Sequence, residues 1–146
     1  MNIAAQPPVQ ADQTIYLKDY QKPAFLVESI HLDIQVYDDH TIVDSTLVMK
    51  RQAAGELVLL GRDLELQSIQ MNGQLLNAGQ YQLDSEQLVI TDAPDQVILK
   101  IQVVIHPESN TQLEGLYKAG DLFVTQNEPE GFRKITFYPD RPDVLA

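Results

Sequence analysis

Two polar side chains near the end of the printed sequence have the types and spacing of a binding pair. Gln126 and Glu128 stand two residues apart in the run TQNEPEGFR. On an extended segment, side chains at this spacing project from the same face. A carboxylate beside a neutral amide suits a primary ammonium group, although the residues alone favour an ordinary solvated polar surface. Because Pro129 and Gly131 follow, we expect the chain to bend there and present the pair at a domain edge.

The sequence offers little for other kinds of catalysis. It has no cysteine, no H-E-x-x-H motif, no G-x-S-x-G motif and no glycine-rich phosphate loop. Since His31, His40 and His106 have no partner four residues away, we expect structural or solvated roles for them and no metal bound by this chain. The acidic runs at Asp38-Asp39 and 92–95 are interpreted as turns, because a calcium loop needs more oxygen ligands.

The bulk composition limits the class of protein. A chain of 146 residues has room for one domain with a substantial core. The net charge of -11, from 21 acidic and 10 basic residues, argues against nucleic acid or an anionic membrane as the main partner. Residues 1–10 lack the pattern of a secretory signal, and the absence of cysteine fits a reducing compartment. The cytoplasm is therefore the expected location.

Short segments with a period of two predict an all-β domain. Ile30, Leu32, Ile34 and Val36 alternate with polar residues, which predicts a strand with one buried face that begins near Phe25. Further strands are predicted at Ile42 to Met49, Leu57 to Leu60, Leu64 to Met71, Gln74 to Leu76, Tyr81 to Leu83, Leu88 to Ile90 and Val97 to Ile105. No segment keeps a helical period. These signals do not separate an open sheet, a sandwich and a partial barrel.

Three local signals refine this pattern. Asn72-Gly73 is the strongest hairpin signal, because a type I′ turn demands positive φ at both central positions. Asp38-Asp39-His40 predicts the turn between the first two strands. Pro107 is expected to end the last alternating strand, since it has no N–H for the ladder.

Three motifs in close order carry a family resemblance. They are LEGLY from Leu113, TQNEPEGFR from Thr125 and FYPDRPDV from Phe137. Together they resemble the N-terminal domain of the bacterial zinc aminopeptidase N family, the alanyl aminopeptidases of the gluzincin metallopeptidases. The resemblance implies a saddle-shaped, mainly antiparallel β-sheet or sandwich domain. It also implies an N-terminal arm at residues 1–22 and a β-domain at 23–146 that is incomplete at its C-terminal end.

The resemblance also implies roles for the polar pair. Glu128 would accept from the α-ammonium group of a peptide N-terminus, and Gln126 would line the first side-chain pocket. Zinc and the catalytic groups would belong to the catalytic domain of the same polypeptide, so this part would be inactive alone. Asn127 and Pro129 depart from the family pattern, which leaves the preferred N-terminal residue open. Glu130 could join this anionic cluster, but the interpretation we favour is a structural contact to Arg133 or Arg141.

The other motif residues are interpreted as framework. Gly115 with Leu116-Tyr117 is expected to form a tight turn, and Asp140 with Arg141 an ion pair that fixes a bend.

A different class of function also fits the sequence: a free-standing β-sandwich module that binds a protein or peptide. A purely structural domain in a larger assembly is a third hypothesis.

Overall fold

Ten β-strands make up most of the regular structure. In the computed structural model, residues 16–145 are described. The strands are β1 (Phe25–Val36), β2 (Thr41–Arg51), β3 (Leu57–Leu60), β4 (Glu65–Met71), β5 (Gln74–Leu75), β6 (Gln82–Leu83), β7 (Gln87–Ile90), β8 (Gln96–Ile105), β9 (Gly115–Ala119) and β10 (Leu122–Gln126). The helical pieces in the described range are 3₁₀ turns at Leu17–Asp19, Pro107–Ser109 and Phe132–Lys134. The predicted all-β class is confirmed.

The strands form two sheets and a separate hairpin, and every pairing is antiparallel. The larger sheet has five strands in the order β1-β2-β8-β4-β5, and the smaller has three in the order β3-β7-β6. β9 and β10 pair only with each other among the described residues. Of the predicted arm at 1–22, residues 1–15 lie outside the described range.

One core joins the two sheets. Leu47 of β2 and Leu99 of β8 are fully buried, and so are Leu59 of β3 and Leu88 of β7. All four belong to a single hydrophobic cluster, so the two sheets pack face to face as a sandwich. Tyr138 follows the last strand and joins this core, where its backbone exchanges two hydrogen bonds with Leu60, at 2.8 and 3.0 Å.

The predicted turn at Asn72-Gly73 is confirmed. The φ angles are 50° at Asn72 and 83° at Gly73, both positive as a type I′ turn requires. The Asn72 side chain also accepts a hydrogen bond from Ile98 N at 2.8 Å and donates to Gln96 O at 3.1 Å. The turn between β4 and β5 is thereby fixed to the beginning of β8.

The predicted buried face of β1 is only partly buried. Ile30 and Leu32 are half-buried, whereas Ile34 and Val36 are 41% and 43% exposed. These residues pair with the core-facing positions of β2, so their orientation is as predicted. β1 is an edge strand, and the exposure of its last residues shows that the smaller sheet does not cover this end.

Candidate functional site

A hairpin that the sequence analysis missed positions the polar pair. Gly120 and Asp121 form a two-residue turn between β9 and β10, with φ of +63° at Gly120, as in a type II′ turn. Gln126 is the last residue of β10 and pairs with Gly115, the first residue of β9. The predicted tight turn at Gly115-Leu116-Tyr117 is therefore wrong. The available signal for a hairpin was Gly120-Asp121, which lies between apolar residues at Leu116-Tyr117 and at 122–124.

The predicted extended segment through Gln126 and Glu128 is also only partly right. The strand ends at Gln126, and Glu128 is the first residue of a turn that runs to Gly131. Gly131 N donates to Asn127 O at 2.9 Å, which closes this turn. The predicted bend is confirmed, and both Gln126 and Glu128 are exposed. We call residues 127–131 the anchor turn.

Close backbone contact holds the anchor turn against the hairpin. A Cβ atom at Gly131 would lie 2.2 Å from Gln126 O and 2.7 Å from Asn127 Cα. Gly115, at φ +73°, has so little space that a Cβ would lie 2.8 Å from Lys134 Cβ. Only glycine fits such contacts, because any side chain would separate the two backbones. The turn is therefore seated directly on the start of β9 and the end of β10.

A part-buried ion pair lies behind the anchor turn. Arg133 Nε donates to Asp140 Oδ2 at 3.0 Å, and Arg133 Nη2 donates to Asp140 O at 2.8 Å. Arg133 Nη1 lies 3.6 Å from Glu130 Oε2. The predicted pair between Asp140 and Arg141 is therefore wrong, because Arg141 instead binds Asp143, at 2.9 Å. Sequence proximity suggested the wrong arginine, since the 3₁₀ turn carries Arg133 back towards Asp140.

A second polar cluster surrounds Lys134. Its side chain is only 3% exposed, with Nζ 3.3 Å from Glu114 Oε2 and 3.9 Å from Asp63 Oδ2, and it also donates to Gln112. The cluster borders a groove of about 580 Å³, which Gln126 and Glu128 do not line. Because its carboxylate and amide partners already satisfy the ammonium group, the groove has no unpaired charge at Lys134 to bind a ligand. The polar pair lies on an open surface instead.

The three histidines lie at separate places. His31 is exposed on β1, and His40 stacks on Tyr37 with ring centroids 4.8 Å apart. His106 contacts two carboxylates, with Nε2 2.9 Å from Glu65 and Nδ1 3.0 Å from Glu108. The hydrogen bond to Glu65, and then that to Glu108, raise the pKa of His106 above its ordinary value. Within residues 16–145, no three histidine or acidic side chains form a cluster that could hold a metal ion.

The predicted acidic turns pair with nearby basic groups. At the β1–β2 turn, the hydrogen bond from His40 lowers the pKa of Asp39 below its ordinary value. Asp95 binds Arg51 Nε at 2.8 Å.

In the described part of the chain, no helix is long and apolar enough to cross a membrane.

Known proteins were compared with the chain in sequence and in structure. No family model matches the sequence. Aminopeptidase N of Caulobacter vibrioides is 43% identical over 136 residues, which are 92% of this chain. The chain spans only 16% of the length of that relative.

Solved structures show the same fold. Aminopeptidase A of Legionella pneumophila, solved in complex with aspartic acid, superposes with a TM-score of 0.80 and 29% identity. That match covers 89% of this chain and 16% of the other. An M1 zinc metallopeptidase of Deinococcus radiodurans, solved with a Tyr-Ser-Ala substrate, superposes with a TM-score of 0.67 over 82% of this chain and 30% of the other. At 20% identity, this second likeness concerns the fold alone.

Proposed function

This chain is a relative of the N-terminal region of aminopeptidase N, and from that premise we propose that it anchors peptide N-termini for a zinc-dependent aminopeptidase. The proposed reaction removes single N-terminal residues from peptides. In it, Glu128 accepts from the substrate's α-ammonium group, and Gln126 lines the pocket for the first side chain. The part of the protein described here would be inactive alone.

The observation that carries this proposal is the state of Glu128. Its carboxylate is exposed and takes part in none of the ion pairs formed among residues 16–145. Gln126 is exposed beside it, at the end of β10. An anion on a hydrogen-bonded turn that forms no ion pair among residues 16–145 is suited to a cationic ligand. Recognition of a charged end would also let the enzyme select peptide N-termini over internal peptide.

The surroundings of the pair support a second partner, the catalytic domain of the same polypeptide. Leu122 is 70% exposed and Phe123 37% exposed on the strand that ends at Gln126, and Leu113 is 57% exposed before β9. Exposed apolar residues near a binding group suit burial against further protein. In this proposal the catalytic domain covers the hairpin, so that Gln126 and Glu128 form one wall of the active-site cavity.

Zinc belongs to the rest of the polypeptide in this proposal. The three histidines of the chain are far from forming a ligand set, and the described residues do not fit a zinc site. The roles proposed for Gln126 and Glu128 do not require this chain to bind a metal ion. The cytoplasm remains the proposed compartment, and the absence of cysteine fits a reducing environment.

The first test is hydrolysis of an alanine chromogenic amide by the longest natural chain that contains these residues, with and without a strong zinc chelator. We expect activity that the chelator abolishes. Glu128→Gln should lower kcat/KM by about 10- to 150-fold, because a charge-assisted contact is worth about 1.5–3 kcal/mol. Glu28→Gln, at an exposed glutamate of β1, is the matched control and should behave as the parent.

The outcomes separate the proposal from its alternatives. A folded, metal-loaded protein without aminopeptidase activity would favour a β-sandwich module that binds a protein or peptide. Normal kcat/KM in the Glu128→Gln variant would favour a purely structural domain. Hydrolysis by the isolated residues 1–146 would contradict the expectation that this part is inactive alone.

A further inference from the structure

The anchor turn carries two carboxylates, and their surroundings differ. Glu130 Oε2 lies 3.6 Å from Arg133 Nη1. Glu128 takes no part in the ion pairs of the described residues. The two side chains are only two positions apart, so one turn presents one paired and one unpaired anion. The pairing of Glu130 therefore leaves Glu128 as the carboxylate available to a ligand.

Arg133 is itself held in one orientation. Its side chain is only 11% exposed, and the side chain of Asp140 is 15% exposed. Asp140 Oδ2 accepts from both Arg133 Nε, at 3.0 Å, and Arg133 N, at 3.1 Å, while Asp140 O accepts from Nη2 at 2.8 Å. A guanidinium group is planar and its donors are fixed relative to one another. These contacts therefore set the direction in which Nη1 faces Glu130.

The closed anchor turn links Glu130 to Glu128 mechanically. The hydrogen bond from Gly131 N to Asn127 O spans the three residues Glu128, Pro129 and Glu130. A contact that fixes Glu130 thus restricts the backbone from which Glu128 projects. The positive charge of Arg133 also offsets the repulsion between two neighbouring carboxylates. Both effects lower the cost of holding Glu128 ready for an ammonium group.

We propose that Glu130 and Arg133 are positioning residues: Arg133, fixed by Asp140, binds Glu130 and thereby orients the anchor turn so that Glu128 meets the substrate's α-ammonium group. This inference rests on the proposed function, since it assigns to Glu130 an effect that acts only through Glu128. Neither Glu130 nor Arg133 is expected to touch the substrate. The effect should appear in substrate binding and not in the chemical step.

A double-mutant cycle tests the inference in the longest natural chain that contains these residues. The proteins are the parent, Glu130→Gln, Glu128→Gln and the double variant, assayed for KM and kcat with an alanine chromogenic amide. Glu130→Gln should raise KM by about two- to fivefold with little change in kcat, as expected for a partly exposed ion pair. In the Glu128→Gln background, the same substitution should have no effect on KM.

Two controls separate positioning from a general loss of stability. Glu28→Gln is the matched neutral substitution and should change neither KM nor the thermal midpoint. Glu130 is 60% exposed, so Glu130→Gln should also keep the parent's thermal midpoint. If Glu128→Gln is too slow to assay, the cycle is measured from dissociation constants of alanine hydroxamate. The hydroxamate group supplies binding energy that does not depend on the α-ammonium group.

Each outcome decides between the two proposals. Unchanged KM and kcat in Glu128→Gln would overturn the proposed function and the positioning role together. A raised KM in Glu128→Gln, with no effect of Glu130→Gln in the parent, would overturn the positioning role alone. An equal effect of Glu130→Gln in both backgrounds would do the same, because Glu130 would then act independently of Glu128.

Discussion

At the scale of single residues, two glycines decide where the polar pair lies. Gly131 has a φ of -81°, which any residue can adopt. Glycine is needed there because a side chain has no room. The space is filled by the backbone at Gln126 and Asn127. Gly115 has both constraints, a positive φ and a close neighbour at Lys134. The position of Glu128 therefore depends on residues that carry no functional group.

Gly131→Ala tests this dependence. The added methyl group must push the anchor turn away from Gln126 O, which we expect to cost about 1–3 kcal/mol in the free energy of unfolding, as for other overpacked sites. Urea denaturation of the parent and the variant measures the difference. Gly79→Ala is the control, because a Cβ there meets only a side-chain oxygen, Asn77 Oδ1, at 3.3 Å. Equal stability of the two variants would show that the turn can move freely.

At the scale of elements, His106 connects segments that are distant in sequence. It follows β8 and contacts Glu65 at the start of β4 and Glu108 in the next 3₁₀ turn. Its Nδ1 also lies 3.2 Å from Asp39 O in the turn between β1 and β2. The imidazole can donate to carboxylates from both nitrogen atoms only when it is protonated. The connection is thus strongest when His106 is charged.

This contact predicts a pH dependence of stability. The pKa of His106 is raised in the folded protein above its unfolded value of about 6.5. The stabilisation is therefore fully present below about pH 6.5 and is lost as the pH rises through the folded pKa. His106→Gln should lower the thermal midpoint most at about pH 6 and least at about pH 9. Thermal unfolding monitored by circular dichroism across this range measures the difference.

An exposed histidine provides the control for that experiment. His31 lies on β1 and makes no side-chain hydrogen bond within residues 16–145. His31→Gln should therefore leave the pH dependence of the parent unchanged. A pH-independent effect of His106→Gln would contradict a contribution from the imidazolium ion and would point to neutral hydrogen bonding alone.

At the scale of the whole molecule, the two sheets depend on each other through one core. Each sheet alone would expose a face of large apolar side chains, and β3, β6 and β7 are too short to be stable by themselves. The shared cluster puts Leu59 of the smaller sheet among buried residues of the larger one. The hairpin is attached to this sandwich through Leu116, and the segment that follows the anchor turn is attached through Ile135, since both residues belong to the same cluster.

Leu59→Ala should destabilise the whole sandwich. Leu59 is fully buried, and replacing a buried leucine by alanine costs about 2–5 kcal/mol in the free energy of unfolding. Val58→Ala is the matched control on the same strand, since Val58 is 38% exposed and should lose much less. Urea denaturation should show a single transition for both variants. A second transition in Leu59→Ala would contradict one cooperative core.

The sequence by itself determined the features that local patterns encode. A period of two predicted most strands of the two sheets, because alternate side chains of a half-buried strand face opposite environments. Asn72-Gly73 predicted its turn, because few residues accept positive φ at two successive positions. The order of the motifs predicted the similarity to aminopeptidase N. The chain matches aminopeptidase N of Caulobacter vibrioides over 92% of the chain's own length.

Only the tertiary structure decided which distant or nearby groups meet. Asp140 pairs with Arg133 and not with Arg141, its neighbour in sequence, because a 3₁₀ turn brings Arg133 back to it. The hairpin of β9 and β10 was missed because Leu122, Phe123 and Val124 are apolar in succession and so lack the alternation that marked the other strands. Glu128 and Glu130 are both glutamates of one turn, and only the fold shows that Glu130 lies 3.6 Å from Arg133 whereas Glu128 forms no ion pair among residues 16–145. Such differences depend on distances between atoms, and the order of residues does not specify them before the chain has folded.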